Sequence, residues 1–255
     1  MWLKQVTITG VDQFVDYNKL ALLSLQYPFV EWGFLLSYPA QVASITHNFV
    51  NCELVDKFYT AMLAYNVYPS IALHVCGDAA RVLITGIPIA DKNYSLDIAT
   101  ILNMPITHYL DRLQLNFSKK ALAVDLDSLS SSIQYLRKTN PRLRIIVQHN
   151  KYSKELWKSL YRKGIEVDLI EKYIVGSELG SGIESIVESV HGIYCGYSGG
   201  ARFYDIIEIF KVMQKKGEGI YWVDCDRAVR DEEGRMDVDK VEELLKIAKN
   251  YIIPL

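Results

Sequence analysis

The sequence predicts a (β/α)8 barrel of the TIM type, with eight parallel strands in a single domain that spans residues 1–255. Short runs rich in Val, Ile, Leu and aromatic residues alternate with longer runs of helical period, which is the pattern of β-α units around a parallel sheet. Eight such units in about 250 residues match the size of this barrel. The rival fold, a doubly wound open sheet, usually carries a glycine-rich fingerprint after its first strand. Here Thr9-Gly10-Val11-Asp12 follows the first strand instead.

The elements alternate regularly along the chain. Strands are predicted at residues 3–9, 30–37, 69–77, 112–117, 142–150, 166–173, 191–198 and 219–226. Helices are predicted at residues 16–26, 42–66, 78–84, 126–140, 153–164, 182–190, 202–217 and 237–252. Asn140-Pro141, Gly164 and Gly217 are helix stop signals, and Asp237 is suited to cap the last helix. The least regular region, 84–111, is predicted to be an elaborated loop with a short helix.

Composition and charge exclude several classes of protein. A net charge of −2 and a pI near 6.2 give no electrostatic reason to expect a nucleic-acid partner. The four cysteines form no C-x-x-C pair, so they indicate small buried residues of a reduced, intracellular protein, with neither a zinc knuckle nor a redox pair. No apolar run approaches the roughly 18 residues of a membrane span, and the N-terminus has no leader pattern. We expect a cytoplasmic protein, a monomer or a homodimer.

Polar residues fall near the ends of almost every predicted strand. In a barrel, alternate strand residues point inward, and those near the carboxyl ends of the strands surround the active site. The inward sets predicted by this alternation are Thr7 and Thr9, Glu31 and Gly33, His74 and Cys76, Gln114 and Asn116, Gln148 and Asn150, Glu171, and Trp222, Asp224 and Asp226. A ring of polar groups is costly to bury without water or a ligand. The candidate catalytic residues are therefore Thr9, Glu31, His74, Asn116, Glu171 and Asp224.

Each of these residues also has a structural interpretation. A lone histidine such as His74 is more often a core residue whose two ring nitrogens are satisfied. Glu31 or Asp224 can cap a neighbouring helix or pair with an arginine inside the fold. The phase of the fifth strand stays open, because His149 can be the inward residue instead of Gln148. The coincidence of so many polar strand ends favours a functional site.

A glycine pair after the seventh strand is a candidate phosphate site. Phosphate binds where several backbone N–H groups point at one place, as at a helix N-terminus that follows a glycine turn. Barrels often build such a site from the loops after strands seven and eight. Ser198, Gly199 and Gly200 occupy the first loop, and Asp226 and Arg227 occupy the second. Glycine pairs are also common in plain turns.

Several segments resemble phosphoribosylanthranilate isomerase. The segment YCGYSGGARFYDIIEIF followed by YWVDCDRAVRDEEGRMDVDKVEELLKIA is similar to the last quarter of that family. LIEKYIVGSELGSGIES resembles its strand that ends in an acid before a glycine-rich loop, which here contains Gly180 and Gly182. LQLNF is similar to its Q-L-H-G strand, and VTITGVD occupies the place of its opening strand. The sequence is more similar still to uncharacterised isomerase-like barrels with T-G-x-D, E-W-G, H-x-C-G and G-G segments in this order.

The resemblance implies an Amadori-type isomerisation of a phosphorylated aminoaldose by an acid and a base, without a cofactor. It places Glu171 where the family has its general acid and Thr9 where the family has its catalytic cysteine base. A threonine hydroxyl does not ionise near neutral pH and cannot replace a thiolate. Asn116 replaces a family histidine, and the segment SYPAQ lacks the family's arginine. These departures leave the phosphate site as the better-supported half of the resemblance.

Three hypotheses follow. The first is an isomerase of a phosphorylated sugar or nucleotide derivative, with Glu171 as acid, His74 or Glu31 as base, and the phosphate held by the two loops. The second is a metal-dependent lyase or hydrolase that uses carboxylate and imidazole ligands; the chain has no close motif such as H-x-H for it, so we predict no metal site. The third is a barrel that binds a phosphorylated metabolite without changing it.

Overall fold

Eight parallel strands close into a barrel, as the sequence predicts. The computed structural model describes residues 1–38, 52–90, 95–116, 124–149, 154–172, 193–198, 202–216 and 219–253. The barrel strands are β1 Trp2–Thr9, β2 Val30–Tyr38, β3 Ser70–Cys76, β4 Arg112–Leu115, β5 Arg144–His149, β6 Val167–Lys172, β7 Cys195–Ser198 and β8 Ile220–Cys225. Each strand pairs with its sequence neighbours, and β8 pairs with β1 to close the sheet.

Helices follow the strands around the outside of the barrel. Those within the described residues are α1 Tyr17–Gln26, α2 Cys52–Ala64, α3 Gly77–Thr85, α4 Ile98–Leu102, α5 Leu126–Thr139, α6 Lys154–Arg162, α7 Phe203–Lys215 and α8 Val238–Ala248. Four helix starts in the described residues are capped by an aspartate whose carboxylate accepts backbone N–H groups that lack partners in the first turn, namely Asp16, Asp97, Asp125 and Asp237. The cap predicted at Asp237 is confirmed.

Two predicted segments need separate comment. Region 84–111 contains α4, a 3-10 turn at Pro105–His108 and a two-stranded antiparallel ribbon that pairs Ile89–Ala90 with Ser95–Leu96. This confirms an elaborated loop with a short helix. The helix predicted at residues 182–190 and the first part of the one predicted at 42–66 lie outside the described residues.

The fold has two apolar regions because each strand is buried on both faces. Outward residues of the strands pack against the helices in one large cluster. A small inner cluster fills the barrel axis with Ile146, Ile170 and Trp222, and Tyr194 packs against it. The inner cluster identifies the inward phase of β5, β6 and β8, so Gln148 and not His149 shares the inward phase of Ile146.

Gly196 on β7 makes room for the largest inner side chain. A Cβ atom placed on Gly196 would overlap the indole of Trp222 on the neighbouring strand. The space left by this glycine lets the indole lie across the barrel axis, where it contacts Tyr194 at 4.5 Å between ring centroids. The barrel interior thus depends on a residue without a side chain at this position.

Gly196→Ala is expected to destabilise the fold by about 3 kcal/mol or more, because the indole or the strand has to shift to admit a methyl group. Urea denaturation measures this loss as a change in the free energy of unfolding. Gly164→Ala is the control: its φ of +75° costs backbone strain of about 1–2 kcal/mol, but nothing lies within 4 Å of the added Cβ. Equal losses in the two variants would contradict the packing of Trp222 on Gly196.

Candidate active site

Four polar side chains meet inside the barrel near the carboxyl ends of their strands. They are Thr9 on β1, His74 on β3, Gln114 on β4 and Asp224 on β8. The structure buries all four, with exposed fractions of 2, 2, 3 and 8 % respectively. The alternation of the strands predicts this inward phase. The four residues therefore form the buried floor of the carboxyl-end mouth, where barrels of this type hold their active sites.

Asp224 is the centre of this group. Its Oδ1 accepts a hydrogen bond of 2.5 Å from the Thr9 hydroxyl, and its Oδ2 lies 3.8 Å from His74 Nδ1. Gly33, the neighbour of Thr9 on β2, keeps this contact free of crowding, because a Cβ there would lie 2.6 Å from Thr9 Oγ1. The carboxyl group is thus fixed from one side by a hydroxyl and faces an imidazole on the other.

Burial raises the pKa of Asp224 above the ordinary aspartate value. The nearby His74 and the hydrogen bond from Thr9 oppose this shift, and the charge of Asp226 adds to it. The carboxyl group therefore keeps its proton to a higher pH than an exposed aspartate does. Such a group is suited to donate and accept protons in catalysis, because its pKa moves toward neutral pH.

Asn116 and Cys76 lie at the rim above this floor. Gln114 Nε2 donates to Asn116 Oδ1 at 3.2 Å, and Asn116 Nδ2 donates to Cys76 Sγ at 3.3 Å. Burial raises the pKa of the Cys76 thiol, and the hydrogen bond from Asn116 opposes the shift. The protonated thiol is therefore favoured, and Cys76 is not suited to act as a thiolate. Asn116 here orients its neighbours Gln114 and Cys76.

The structure corrects the position of Glu31. It is the second residue of β2 and lies in a lower layer, where both carboxylate oxygens bind the Arg112 guanidinium, with Nε distances of 2.7 and 3.0 Å. Thr7 donates to Glu31 at 2.8 Å, and Arg112 stacks on Trp222 at 4.7 Å. The prediction that Glu31 ends its strand is wrong, and the alternative, an ion pair with a buried arginine, is confirmed. A carboxylate held in this way is not free to act as a base.

Arg112 is the partner that the sequence analysis missed. It lies two residues before Gln114 on the same inward face of β4. The alternation that identified Gln114 contains this signal, but a strand-initial arginine is ordinarily exposed. A second buried acid, Asp168 on β6, is paired in the same way with Arg144 on β5, at 2.8 Å from Nε. Both ion pairs lie toward the amino ends of the strands.

Glu171 lies on β6, where it pairs in register with His149 of β5 and Tyr197 of β7. Its side chain lies outside the described residues, so its inward direction and its role as an acid both stay predictions. In the described part of β6, Ile170 belongs to the inner cluster, whereas Val167 and Leu169 pack in the outer one.

The loop after β8 is tied to the loop after β1. Arg230 donates to Gly10 O at 2.9 Å, to Thr9 O at 2.6 Å and to Asp226 Oδ1 at 2.9 Å. Asp12, the acid of the T-G-V-D segment, is fully buried and lies 3.6 Å from the same guanidinium. Asp226 thus serves as a structural partner of Arg230, and its negative charge does not favour an anion beside it.

The phosphate site stays a prediction. Gly180, Gly182, Gly199 and Gly200 lie outside the described residues. Ser198 ends β7 beside Asp224, and Arg227 is exposed in a short 3-10 turn after β8. Just before α7, the Asp205 carboxylate accepts the backbone N–H of Arg202 at 2.8 Å, so this one N–H group is occupied.

The described part of the chain offers no metal site or membrane span. Among its residues, no three His, Cys, Asp or Glu side chains are grouped so that they can hold a metal ion. No helix formed by these same residues combines the length and the apolar character needed to cross a membrane.

The fold and this site define a (β/α)8 barrel with a polar, carboxyl-containing mouth. The sequence matches no known protein-family model and has no significant relative among curated proteins. Solved structures with the same fold include KGPDC from Streptococcus mutans, with a TM-score of 0.53 at 11% identity over 98% of this chain and 99% of the other. A putative spore coat polysaccharide biosynthesis protein E from Chromobacterium violaceum gives 0.55 at 11% over 97% and 75%. Phospho-2-dehydro-3-deoxyheptonate aldolase from Thermotoga maritima gives 0.57 at 12% over 96% and 68%. At these identities the similarity shows the fold alone.

Arg112→Met is expected to cost about 3–5 kcal/mol of unfolding free energy, because it leaves the Glu31 carboxylate buried without its partner. The double variant Glu31→Leu/Arg112→Met replaces both charges with apolar groups and is expected to recover most of this loss. Urea denaturation of wild type, both single variants and the double variant measures the coupling. Additive losses would contradict a direct pair.

Asp224→Asn is expected to change the pH dependence of stability in one direction. Because the folded protein raises the pKa of Asp224, the wild type loses stability as pH rises above the ordinary aspartate value, near pH 4. The variant does not titrate, so its stability relative to wild type should increase from about pH 4 to about pH 8, by about 1.4 kcal/mol for each unit of the shift. Other buried carboxyls are common to both proteins and cancel. A constant difference across this range would contradict the raised pKa.

Proposed function

We propose that the protein is an enzyme that moves a proton within a small phosphorylated sugar or nucleotide derivative, bound at the carboxyl-end mouth without a cofactor. The observation that carries this proposal is the buried Asp224 carboxyl, whose pKa is raised by burial, beside His74, whose Nε2 is buried and has no hydrogen-bond partner among the described residues. An ionisable acid next to an unused imidazole nitrogen is costly to bury unless a ligand uses it.

The geometry supports acid/base chemistry over nucleophilic catalysis. Cys76 is held as a thiol, and Thr9 has its hydroxyl committed to Asp224. Asp224 has neither an arginine nor a lysine as a hydrogen-bond donor in the described part of the chain, so its charge is not fixed by an ion pair. It is therefore the side chain of the mouth best suited to exchange a proton with a ligand.

The phosphorylated nature of the ligand is supported by similarity of sequence segments and by fold. The segments after β7 and β8 resemble those of phosphoribosylanthranilate isomerase, and one solved structure of the same fold is named for a phosphorylated sugar acid. In this chain Thr9 occupies the place of the family's cysteine base, and it binds Asp224. We infer that Asp224 replaces that cysteine as the proton-carrying group, so the substrate differs from that of the isomerase.

The proposal is tested by binding and by exchange. A thermal-shift screen of aldose phosphates, ketose phosphates and nucleotides identifies ligands, because binding to the folded state raises the melting temperature. Each ligand found is then incubated with the enzyme in D2O, and proton NMR follows the exchange of the hydrogen next to its carbonyl group. Asp224→Asn is expected to slow this exchange by about 10²–10⁴-fold, the usual contribution of a general acid or base.

Glu166→Gln is the matched control, because Glu166 is an exposed carboxylate at the opposite, amino-terminal end of the barrel, just before β6. It should leave the exchange rate unchanged. Ligand binding without any exchange would favour the barrel that binds a metabolite without altering it. A screen in which none of these compounds raises the melting temperature would overturn the phosphorylated substrate class.

A further inference from the structure

The hydrogen bonds around His74 distinguish its two ring nitrogens. Its Nδ1 lies 3.3 Å from Gln114 Nε2, whereas its Nε2 is buried and has no hydrogen-bond partner among the described residues. The residue as a whole is 2 % exposed. A neutral imidazole carries its single proton on one nitrogen, and the hydrogen bond at the other nitrogen decides which. The orientation of the Gln114 amide therefore sets the chemistry of His74.

Three acceptors surround the Gln114 side-chain nitrogen. Besides His74 Nδ1, it faces Asn116 Oδ1 at 3.2 Å and the carboxyl group of Asp224, to which it also donates. An amide oxygen in the same place would be opposed by the oxygens of Asn116 and Asp224. The amide NH2 group therefore points at this cluster, and its two N–H groups are shared among the three acceptors. Because an amide nitrogen cannot itself accept a hydrogen bond, Nδ1 of the imidazole is the acceptor in its contact with Gln114.

The contact between His74 and Asp224 agrees with this assignment. A hydrogen bond from a protonated Nδ1 to a carboxylate is normally 2.7–3.2 Å long, whereas the closest approach is 3.8 Å between Nδ1 and Oδ2. The pair is thus not held by a hydrogen bond through Nδ1. With Nδ1 acting as an acceptor, the ring proton resides on Nε2.

We propose that Gln114 is a positioning residue that holds His74 as the neutral Nε2–H tautomer, and that this N–H donates a hydrogen bond to a carbonyl oxygen of the ligand. The ligand is then a carbonyl compound, that is, an aldose, a ketose or a related keto derivative. The role of the ligand rests on the function proposed above, whereas the tautomer is a property of the free protein. His74 is in this scheme an electrophile and not the base.

The proton balance assigns the other role to Asp224. Its carboxylate removes a proton from the carbon next to the ligand's carbonyl group, and the electron pair of that C–H bond forms a double bond to the carbonyl carbon. The carbonyl π electrons move to oxygen, where the Nε2–H of His74 stabilises the negative charge. Asp224 then returns the proton to the former carbonyl carbon, while the hydroxyl proton of the neighbouring carbon moves to the former carbonyl oxygen, so that the carbonyl group has moved by one carbon. No oxidant, reductant or second substrate is needed.

The tautomer is measured directly by long-range proton–nitrogen NMR of protein labelled with 15N-histidine. His74→Gln identifies the signals of His74 among those of the five histidines. The wild type should show a pyrrole-type Nε2 that carries the proton and a pyridine-type Nδ1 near neutral pH. A proton on Nδ1, or on both nitrogens, would overturn the proposal whatever the activity of the enzyme. Because this spectrum is recorded on the wild type, it determines the tautomer even where Gln114→Glu fails to fold.

Gln114→Glu tests the positioning role. A carboxylate at this place accepts from the imidazole, so the proton should move to Nδ1 and the exchange rate should fall by about 10²–10³-fold, the usual effect of losing one such donor. The control is Gln5→Glu, which adds the same charge near the amino end of the barrel, where Gln5 binds Ser70 at 3.2 Å. It should change neither the His74 spectrum nor the exchange rate. If Gln114→Glu moves the proton to Nδ1 but leaves the exchange rate unchanged, the role of His74 in catalysis is overturned. If the wild type shows the expected tautomer but binds no phosphorylated compound, only the proposed substrate class is refuted.

Discussion

Closure of the barrel deprives its inward side chains of bulk water except at the two mouths, and this constraint decides what each polar residue does. Toward the amino ends of the strands, buried carboxylates are matched by guanidinium groups, Glu31 by Arg112 and Asp168 by Arg144. In such pairs each partner compensates part of the other's loss of hydration. The lower half of the barrel is therefore held together by ions that are unavailable for chemistry.

Near the carboxyl ends of the strands, the buried acid has partners of another kind. Asp224 has the Thr9 hydroxyl, the Gln114 amide and the His74 ring as its neighbours. These groups compensate its loss of hydration only in part, so burial raises the pKa of Asp224. Burial also raises the pKa of Asp168, although the hydrogen bond from Arg144 opposes that shift. The two acids thus differ in their partners: a guanidinium binds Asp168, whereas a hydroxyl and an amide donate to Asp224.

The sequence predicts the strands and their phase better than it predicts depth. Alternation gives the inward face of His74, Gln114 and Asp224 correctly. A period of two residues contains no information on the height of a residue along the barrel axis, so Glu31 was placed one layer too high. The inward direction and the role of Glu171 stay predictions, because its side chain lies outside the described residues.

Thr9 has a structural role beside the Asp224 carboxyl group. β1 and β8 are neighbours in the closed sheet, and Thr7 pairs in register with Asp224, so residue 9 projects beside the Asp224 carboxyl. A hydroxyl there donates a hydrogen bond to the acid and fixes its orientation, which an ionised thiolate would repel. A negatively charged base at position 9 of β1 and an ionised acid at position 224 of β8 would therefore repel each other, so only one of the two is expected at this place. Under the proposed function, the acid on β8 carries the proton, and Thr9 on the adjacent strand holds its orientation through the hydrogen bond to Asp224.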